Sequence, residues 1–364
     1  MDVGLNAEQL SLRATVRDIL RTECPPEAAR QALTDPDRWR TLWKTVVDLG
    51  WTELASPGAP AEGDYGPVEL AVVLEECGAA LAPIPLLSSI GLAAGALRGI
   101  STRGGLDSVL ADIAGGVVAT LAVHSPGHRL PGPTTTLHGG RLRGRAVAVP
   151  NLSRAELIVT LAQEGDNVLA AVARCGDGVS IHDSESADPA QPVADVDIDT
   201  EPLAVAPLNS GGVESALSTP LVAAAADLIG VAGAALNRSV EHAKSRRQFG
   251  SPIGAFQGVK HALADNYVGL ERARSLTYAA AALLGDPSAA PAEVWTAAAL
   301  AKAAAGDAAA NSARTAVQVH GALGQTWEHD AHLYVRHAWQ GAAMLGDSRS
   351  LYHEVGRRFC GGAA

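Results

Sequence analysis

The chain has 364 residues, more than one hydrophobic core usually organises, which predicts about two to three structural units. Its 39 acidic and 28 basic residues give a net charge of -11. Binding to a nucleic-acid backbone depends on clustered Lys and Arg side chains, so this balance argues against DNA or RNA as a partner.

The ends and the apolar content of the chain predict a cytoplasmic protein. Glu8 stands where a secretory signal needs positive charge followed by an apolar run. The most apolar run, PLVAAAADLIGVAGAAL from Pro220, contains Asp227 and is rich in alanine, which indicates a buried helix and no membrane span. The cysteines are far apart and fit neither a zinc site nor a disulfide framework. We therefore expect no metal, and reduced thiols at Cys24, Cys77, Cys175 and Cys360.

Hydrophobic periodicity divides the chain into three segments. Residues 1–115 show helical spacing, and Pro67 suits the first turn of one of the helices. Residues 116–207 contain the short apolar runs VVATLAV, RAVAV, ELIVTLA and NVLAAVA between turn signals, which predict the strands of a compact β domain. Residues 208–364 show long Ala- and Leu-rich helical stretches without a strand pattern, which predicts a helical bundle.

One corner of the bundle is rich in polar and aromatic side chains. Thr219 and Pro220 predict the start of the first bundle helix, as an N-cap followed by proline in the first helical position. That helix should end near Arg246, and another should begin after Pro252, so the segment SRRQFGSPIGAFQGVKH at 245–261 forms the corner. A guanidinium group matches phosphate oxygens, so the corner suits a phosphate-bearing ligand. The alternative is a solvated arginine that complements the negative end of the helix dipole.

Two motifs carry a family resemblance. RRQFGSPIGAFQGVKHALAD resembles the R-x-Q-F-G-x-P-I-x-x-F-Q-x-x-x-H signature of the acyl-CoA dehydrogenases, and QVHGALGQTWEHD at 318–330 resembles their Q-x-x-G-G-x-G-x-x-x-E segment. The resemblance implies an α+β fold with an N-terminal helical domain, a middle β-barrel or sandwich domain and a C-terminal four-helix bundle. It also implies FAD, removal of hydrogens from the α and β carbons of an acyl-CoA thioester, and a flavin that lies across a subunit boundary.

The same resemblance implies which residues hold the cofactor. Arg246 matches the family arginine at the FAD pyrophosphate, while Ala322 replaces a family glycine in the second motif. We interpret His261 and His320 as structural residues. The implied FAD-binding residues are Arg246, Gln248, Phe249, Gln257, Gln318, Gly321 and Gly324.

The expected catalytic base is missing. Removing an α-proton needs a carboxylate over the thioester, which in most of the family is the Glu of an E-G-T triplet after an Arg-Asp-Ala segment. VRHAWQGAAMLGDSRSLYHE resembles that region, and an ungapped count places Leu345, Gly346 and Asp347 on the triplet. The alternative base position of some family members falls on Pro220. Asp347 is the nearest carboxylate, and it is either a displaced base, a helix N-cap or a solvated surface acid.

Contacts to the flavin ring also differ from the family pattern. AVPN at 148–151 stands where the family has W-I-T-N, and VHSPGHRLP stands where it has T-E-P-G-x-G-S-D. The resemblance therefore extends to actinobacterial heterotetramers of two related chains, of which one has lost the base and which often act on steroid-derived thioesters.

Our leading hypothesis is a non-catalytic, FAD-binding subunit in an α2β2 complex with a catalytic acyl-CoA dehydrogenase paralogue. The implied reaction is α,β-dehydrogenation of a fatty or steroid acyl-CoA, with electron-transfer flavoprotein or a similar acceptor. The alternatives are a self-sufficient homotetrameric dehydrogenase that uses Asp347 or another carboxylate, and a flavin-free scaffold.

Overall fold

The computed structural model of the chain has helices, then a sheet, then helices. It describes residues 4–32, 34–35, 37–55, 66–100 and 105–361, so the outer ends of the first and last predicted segments lie outside the described residues. This order confirms the predicted α+β class. The strands of the main sheet lie between Ala119 and Pro207, while the segment boundaries at 115 and 207 stay predictions.

The N-terminal helices start with strong local signals. α1 begins with a capping box, in which Asn6 and Gln9 exchange side-chain and backbone hydrogen bonds. Pro67 occupies the first turn of α4, as predicted. A π-helix over Leu87–Ala94 runs directly into α5. The helices are α1 (Ala7–Glu23), α2 (Pro26–Gln31), α3 (Trp39–Asp48), α4 (Pro67–Ala80), α5 (Gly95–Arg98) and α6 (Leu106–Ala114).

The middle part is one mixed sheet. Its strands are β1 (Ala119–Ala122), β2 (Thr135–His138), β3 (Arg141–Pro150), β4 (Leu157–Glu164), β5 (Asn167–Arg174), β6 (Val179–Asp183), β7 (Val193–Thr200) and β8 (Ala204–Pro207). They are ordered β6-β7-β3-β2-β4-β5-β8, with β1 paired in parallel to β4. The four predicted apolar runs form β1, β3, β4 and β5.

Both faces of β4 are buried, which explains its continuous apolar sequence. Leu157, Val159 and Leu161 join the main core, whereas Ile158 and Ala162 join a smaller core. The smaller core also takes residues from β1, β3, β5 and β7, so the sheet bends around it. The β part therefore has its own core and also packs on the helices.

The C-terminal helices are α7 (Gly212–Ser245), α8 (Gln257–Leu284), α9 (Pro291–His320), α10 (Ala331–Ala343) and α11 (Ser348–Gly361). α7, α8, α9 and α10 pack on one another, and α11 packs on α9. The predicted helix start at Pro220 is wrong, because α7 begins at Gly212 and Pro220 is buried inside it. Burial of α7 against its neighbours outweighs the backbone hydrogen bond that this proline cannot donate.

The prediction that no strands follow residue 208 is also wrong. Arg247–Gln248 (β9) pairs antiparallel with Ser251–Pro252 (β10) around a turn in which Phe249 and Gly250 have positive φ. These strands are too short for a periodic signal. They turn the chain between α7 and α8.

Most residues of helix α7 are buried. It crosses α4 where Gly78 faces the Asp227 backbone and Gly230 faces the Glu75 backbone, and a Cβ atom on either glycine would overlap the other helix. α7 is long and apolar enough to span a membrane, but it is mostly buried, as the core helix of a soluble protein is. This agrees with the predicted buried helix.

Candidate functional site

The corner predicted from the first motif is present at the exposed end of α7. The helix ends at Ser245, Arg246 has extended backbone, and α8 begins at Gln257, which is exposed. A 3-10 turn over Ile253–Ala255 connects the small hairpin to α8, and the Ile253 N–H donates to the Arg246 carbonyl at 2.8 Å. The sequence therefore places its polar segment on a surface turn held by backbone hydrogen bonds.

The two arginines of the motif differ in their partners. Arg247 Nη2 donates to the Gly250 carbonyl at 3.3 Å, within its own turn. The exposed side chain of Arg246 has neither a hydrogen bond nor an ion pair with any part of the chain that the structure describes. Arg246 is thus available to an anionic ligand, whereas Arg247 supports the hairpin.

A cavity of about 480 Å³ lies beside this corner and joins the two motifs. It is lined by Gln248 and Phe249 from the first motif and by Gln318 from the second. Phe249 is 92% exposed and contacts only the edge of Phe256 among ring neighbours in the described chain, with centroids 6.1 Å apart. Phe256 is 41% exposed, so the two rings form an apolar patch beside the cavity, which favours contact with another molecule.

The glycines of the second motif close the end of α9. Gly321 ends the helix with φ 61, a backbone conformation that glycine adopts without strain. Gly324 is buried, and a Cβ atom there would lie 2.9 Å from the Val317 carbonyl. Neither glycine lines the cavity beside Phe249. The structure brings Gln248, Phe249 and Gln318 together, while Gln257, Gly321 and Gly324 lie around them on adjoining segments.

A second cavity, of about 530 Å³, lies between the sheet and α10. Its lining includes His124, Arg129, Ala148, Trp339 and Asp347. It shares no lining residue with the cavity beside Phe249. The chain therefore offers two separate surfaces, one at the end of the bundle and one at the junction with the sheet.

The wall of the second cavity contains a strained backbone position. Ala148 has φ 51 and lies where the register between β3 and β7 shifts between Ala146 and Val149. Its N–H donates to the Asp195 carboxylate at 3.0 Å, which holds the strained conformation. The following Pro150 has no N–H, so this wall offers few donors to a ring in the cavity.

The loop between α10 and α11 carries the position predicted for the base. Leu345 has φ 57, and its side chain is 2% exposed within the main core. The Leu345 N–H donates to His124 Nε2 at 3.0 Å, and burial together with the positive charge of Lys302 lowers the pKa of His124. Leu345 thus points into the protein, and no acid–base group lies at its position.

Asp347 acts as the N-cap of α11. Its Oδ1 accepts from the Ser350 N–H at 2.7 Å, and its Oδ2 lies 3.2 Å from Arg129 Nη1. The hydrogen bond from Ser350, with a further contribution from Arg129, lowers the pKa of Asp347. A carboxylate with a lowered pKa is a weaker proton acceptor, which favours the N-cap interpretation over the base.

The sequence prediction missed a buried lysine behind this loop. Lys302 in α9 is 1% exposed, and its amine donates to the carbonyls of Ala342 at 3.1 Å and Gly346 at 3.4 Å. Burial lowers its pKa to about 7 against the opposing effect of Asp347 and two other aspartates. Lys302 and His124 both hold the loop through hydrogen bonds to its backbone. In the sequence, the alanine-rich surroundings of Lys302, ALAKAAAG, were the signal of a buried lysine.

A buried histidine between two carboxylates was also missed. His337 Nε2 lies 2.7 Å from Asp227 on α7, and Nδ1 lies 2.7 Å from Asp188, in the segment between β6 and β7, off the direction of a hydrogen bond. Burial alone would lower the pKa of His337, but Asp227 and Asp188 raise it well above its usual value. The signal was Arg336-His337-Ala338, where the family pattern has Arg-Asp-Ala.

Two domain families match most of the chain. The acyl-CoA dehydrogenase N-terminal domain matches residues 6–108, and the acyl-CoA dehydrogenase C-terminal domain matches residues 213–359. The chain belongs to the acyl-CoA dehydrogenase family. Acyl-CoA dehydrogenase IpdE2 of Mycolicibacterium smegmatis is 31% identical over 95% of this chain and 96% of that protein.

Solved structures of related complexes have the same fold. The Tcur3481-Tcur3483 steroid ACAD matches with a TM-score of 0.86 and 26% identity over 98% of each chain. The ChsE4-ChsE5 complex from Mycobacterium tuberculosis matches with a TM-score of 0.84 and 26% identity over 99% of each chain. The predicted family is confirmed, and with it FAD as the cofactor expected in an oxidoreductase acting on CH–CH bonds. The FAD-binding residues stay predictions.

Replacing His337 tests the buried ionic cluster. We expect His337→Gln to lower the free energy of unfolding by about 3 to 5 kcal/mol, because two buried carboxylates lose their cation. Since the pKa is raised in the folded state, the stabilisation is complete below about pH 6.5 and decreases as the pH rises through the folded-state pKa. Chemical denaturation of the parent chain and the variant at several pH values measures the free energy of unfolding.

The matched control is His182→Gln, which removes a histidine from an exposed pair with Asp197. We expect it to cost less than about 1 kcal/mol. Equal losses for the two variants would mean that the buried cluster contributes no more than a surface pair.

Proposed function

We propose that the chain is an FAD-binding subunit of a heteromeric acyl-CoA dehydrogenase and that a partner chain supplies the catalytic base. The observation that carries this proposal is the loop at 345–347, where Leu345 is buried and Asp347 caps a helix. The reaction is α,β-dehydrogenation of an acyl-CoA thioester, in which FAD accepts the hydride.

The cofactor contacts of this subunit are divided between its two cavities. At the end of the bundle, Arg246 would meet the diphosphate of a flavin held mainly by the partner, with Gln248, Phe249 and Gln318 beside it. The free guanidinium of Arg246 and the exposed ring of Phe249 fit a ligand shared across an interface. Gln257, Gly321 and Gly324 would complete this surface.

The second cavity would face the flavin ring at the sheet junction. A neighbouring cleft of about 570 Å³ is lined by His128, Arg129, Arg349 and His353, so its positive charge suits a phosphate group next to the ring. The wall of this cavity at 148–150 has few backbone donors for the ring, because Ala148 donates to Asp195 and Pro150 lacks an N–H. The difference between the two cavities supports strong contacts of this chain to the adenosine side of FAD and weak contacts to the flavin ring.

The partner we propose is a paralogous acyl-CoA dehydrogenase chain in an α2β2 complex in the cytoplasm. Two of the similar solved structures, a steroid ACAD and a two-chain complex, support this assembly. Electron-transfer flavoprotein or a similar acceptor would reoxidise the flavin. Steroid-derived or fatty acyl-CoA thioesters are the substrate class.

The alternative is a self-sufficient dehydrogenase with Asp347 as base. The observation in its favour is that Asp347 lines the second cavity. Against it, both carboxylate oxygens already have partners, in Ser350 and Arg129. A flavin-free scaffold would not need the exposed Arg246 and Phe249.

Asp347→Asn separates a role of Asp347 as helix cap from a role as catalytic base. Asparagine caps a helix as well as aspartate but cannot accept the α-proton. In the assembled complex we expect the rate of flavin reduction by acyl-CoA to stay within about twofold of the parent rate, since loss of a general base costs about 100- to 10,000-fold. Stopped-flow absorbance under anaerobic conditions measures the rate.

Asp347→Ala is the control for the cap, and we expect it to lower stability by about 1 kcal/mol without changing the chemistry. A loss of 100-fold or more in the asparagine variant, on the scale of a general base, would establish Asp347 as the base.

Arg246→Ala tests the shared cofactor site. We expect a loss of about 1.5 to 3 kcal/mol in FAD binding, or roughly 10- to 150-fold in affinity, because one charge-assisted hydrogen bond is removed. Flavin retention on dilution of the complex measures this loss. Arg247→Ala is the matched control, since Arg247 contacts only its own turn within the described chain. Equal flavin retention in the two variants would make Arg246 an ordinary helix-end charge.

A further inference from the structure

Three imidazole rings meet where the ends of α7 and α9 come together. His242 lies in the last turn of α7, His320 is the last residue of α9, and His329 precedes α10. The ring centroids of His242 and His320 are 4.3 Å apart, and those of His320 and His329 are also 4.3 Å apart. We call these three residues the histidine stack. All three are half-buried.

The stack adjoins both motifs of the bundle. Arg246 follows His242 by one helical turn, and its backbone N–H donates to the His242 carbonyl at 2.8 Å. Gly321 directly follows His320. The stack therefore adjoins both Arg246 and the glycine turn after α9.

Hydrogen bonds assign the tautomers of two rings. His320 Nδ1 lies 2.7 Å from the Ala316 carbonyl, which can only accept, so Nδ1 carries the proton and Nε2 presents a lone pair. His329 Nδ1 accepts from the Ala331 N–H at 3.1 Å, so its proton is on Nε2. In its neutral form, His320 Nε2 would repel an anion. It can donate to one only after it takes up a proton.

Burial and the surrounding charges disfavour protonation of His242 and His329. From α7, Arg238 and Arg246 face it, and from the segment before α10 comes Asp330, which pairs with Arg238 and with Arg30 of α2. Burial, followed by the neighbouring His320, lowers the pKa of both His242 and His329. Asp330 opposes this effect at His329, but its charge is shared by two arginines.

We propose that the histidine stack and Arg246 form a proton-coupled site for a diphosphate, in which His320 Nε2 takes a proton from solvent and donates it in a hydrogen bond to a phosphate oxygen. The inference rests on the proposed FAD-binding function and names a further contact for that cofactor. The one bond that forms is the N–H bond at His320 Nε2, whose proton leaves the solvent, so the stack gains one positive charge as the anion binds. A second proton is disfavoured, because like charges on rings 4.3 Å apart repel each other.

This inference revises the structural interpretation of His320. A purely structural histidine would use its Nδ1 bond to Ala316 to close the last turn of α9 and nothing more. The stacking on two other imidazoles beside an unpaired arginine is the additional observation. It makes the affinity for the diphosphate depend on pH.

The test measures diphosphate binding to the full-length chain in its flavin-depleted complex by calorimetry. ADP-ribose is the probe, because its diphosphodiester does not titrate between about pH 6 and 8, and FAD is the second ligand. We expect uptake of about one proton, from the difference between buffers of unlike ionisation enthalpy. Affinity should fall by up to about tenfold per pH unit above the pKa of the stack.

His320→Gln should abolish both the proton uptake and the pH dependence, since glutamine can still donate to Ala316 but does not titrate. His242→Gln should weaken both, and it serves as the second variant if the first is unstable. His138→Gln, at the exposed end of β2, is the control and should change neither.

Binding of ADP-ribose and FAD that is independent of pH in the parent would overturn this inference and leave the FAD-binding proposal standing. Binding of neither ligand would overturn both. Retention of the pH dependence in both the His320→Gln and the His242→Gln variants would also contradict the role of the stack.

Discussion

Burial of α7 is the constraint on which the rest of the structure depends. The helix crosses α4 with glycine against backbone at Gly78 and Gly230, so no side chain separates the two. It also packs on α8, α9 and α10, and through Ala223 and Thr219 it meets Gly91 and Gly95 of the π-helix and α5. A helix held this closely cannot tilt or slide without overlap, and it therefore positions every group that it carries.

The groups on α7 connect the core with both cavities. Asp227 is buried in its middle and requires a cation, which His337 supplies from α10. Because His337 also contacts Asp188, one ionic cluster ties the helical bundle to the β part beside the second cavity. At the far end, α7 leaves the core and presents His242 and then Arg246 at the surface. A single rigid element thus relates the proposed cofactor surface to the interior of this chain.

In the proposed function, the loop at 344–347 keeps its shape without a catalytic group. Lys302 and His124 bind the loop through its backbone, so its conformation does not depend on the side chain at 345. Leucine there gains burial in the main core, and Asp347 gains a helix cap. In the proposed function, a buried leucine takes the place of the catalytic glutamate at this position. The contacts to the adenosine side of the cofactor are kept.

Local signals predicted much of this architecture. Pro67 starts α4, the Gly-Ser-Pro turn separates α7 from α8, and four apolar runs form strands, because each depends on nearby residues. β7 was missed although VADVDIDT alternates apolar and acidic residues, a readable strand pattern, whereas the largely exposed β6 offers little signal. Pro220 misled the prediction, since the buried helix around it outweighs a local rule. The sequence carries signals for Lys302 and His337, but it does not show the partners of these residues or the histidine stack, because tertiary packing alone brings those groups together.

Reconstitution from separately purified chains tests the central claim most directly. This chain and a paralogous acyl-CoA dehydrogenase chain that carries the catalytic glutamate would each be loaded with FAD, alone and mixed, and titrated anaerobically with acyl-CoA while the flavin absorbance is followed. The account predicts no bleaching with this chain alone, and bleaching together with tighter FAD retention when both chains are present. Bleaching of the flavin by this chain alone would contradict it.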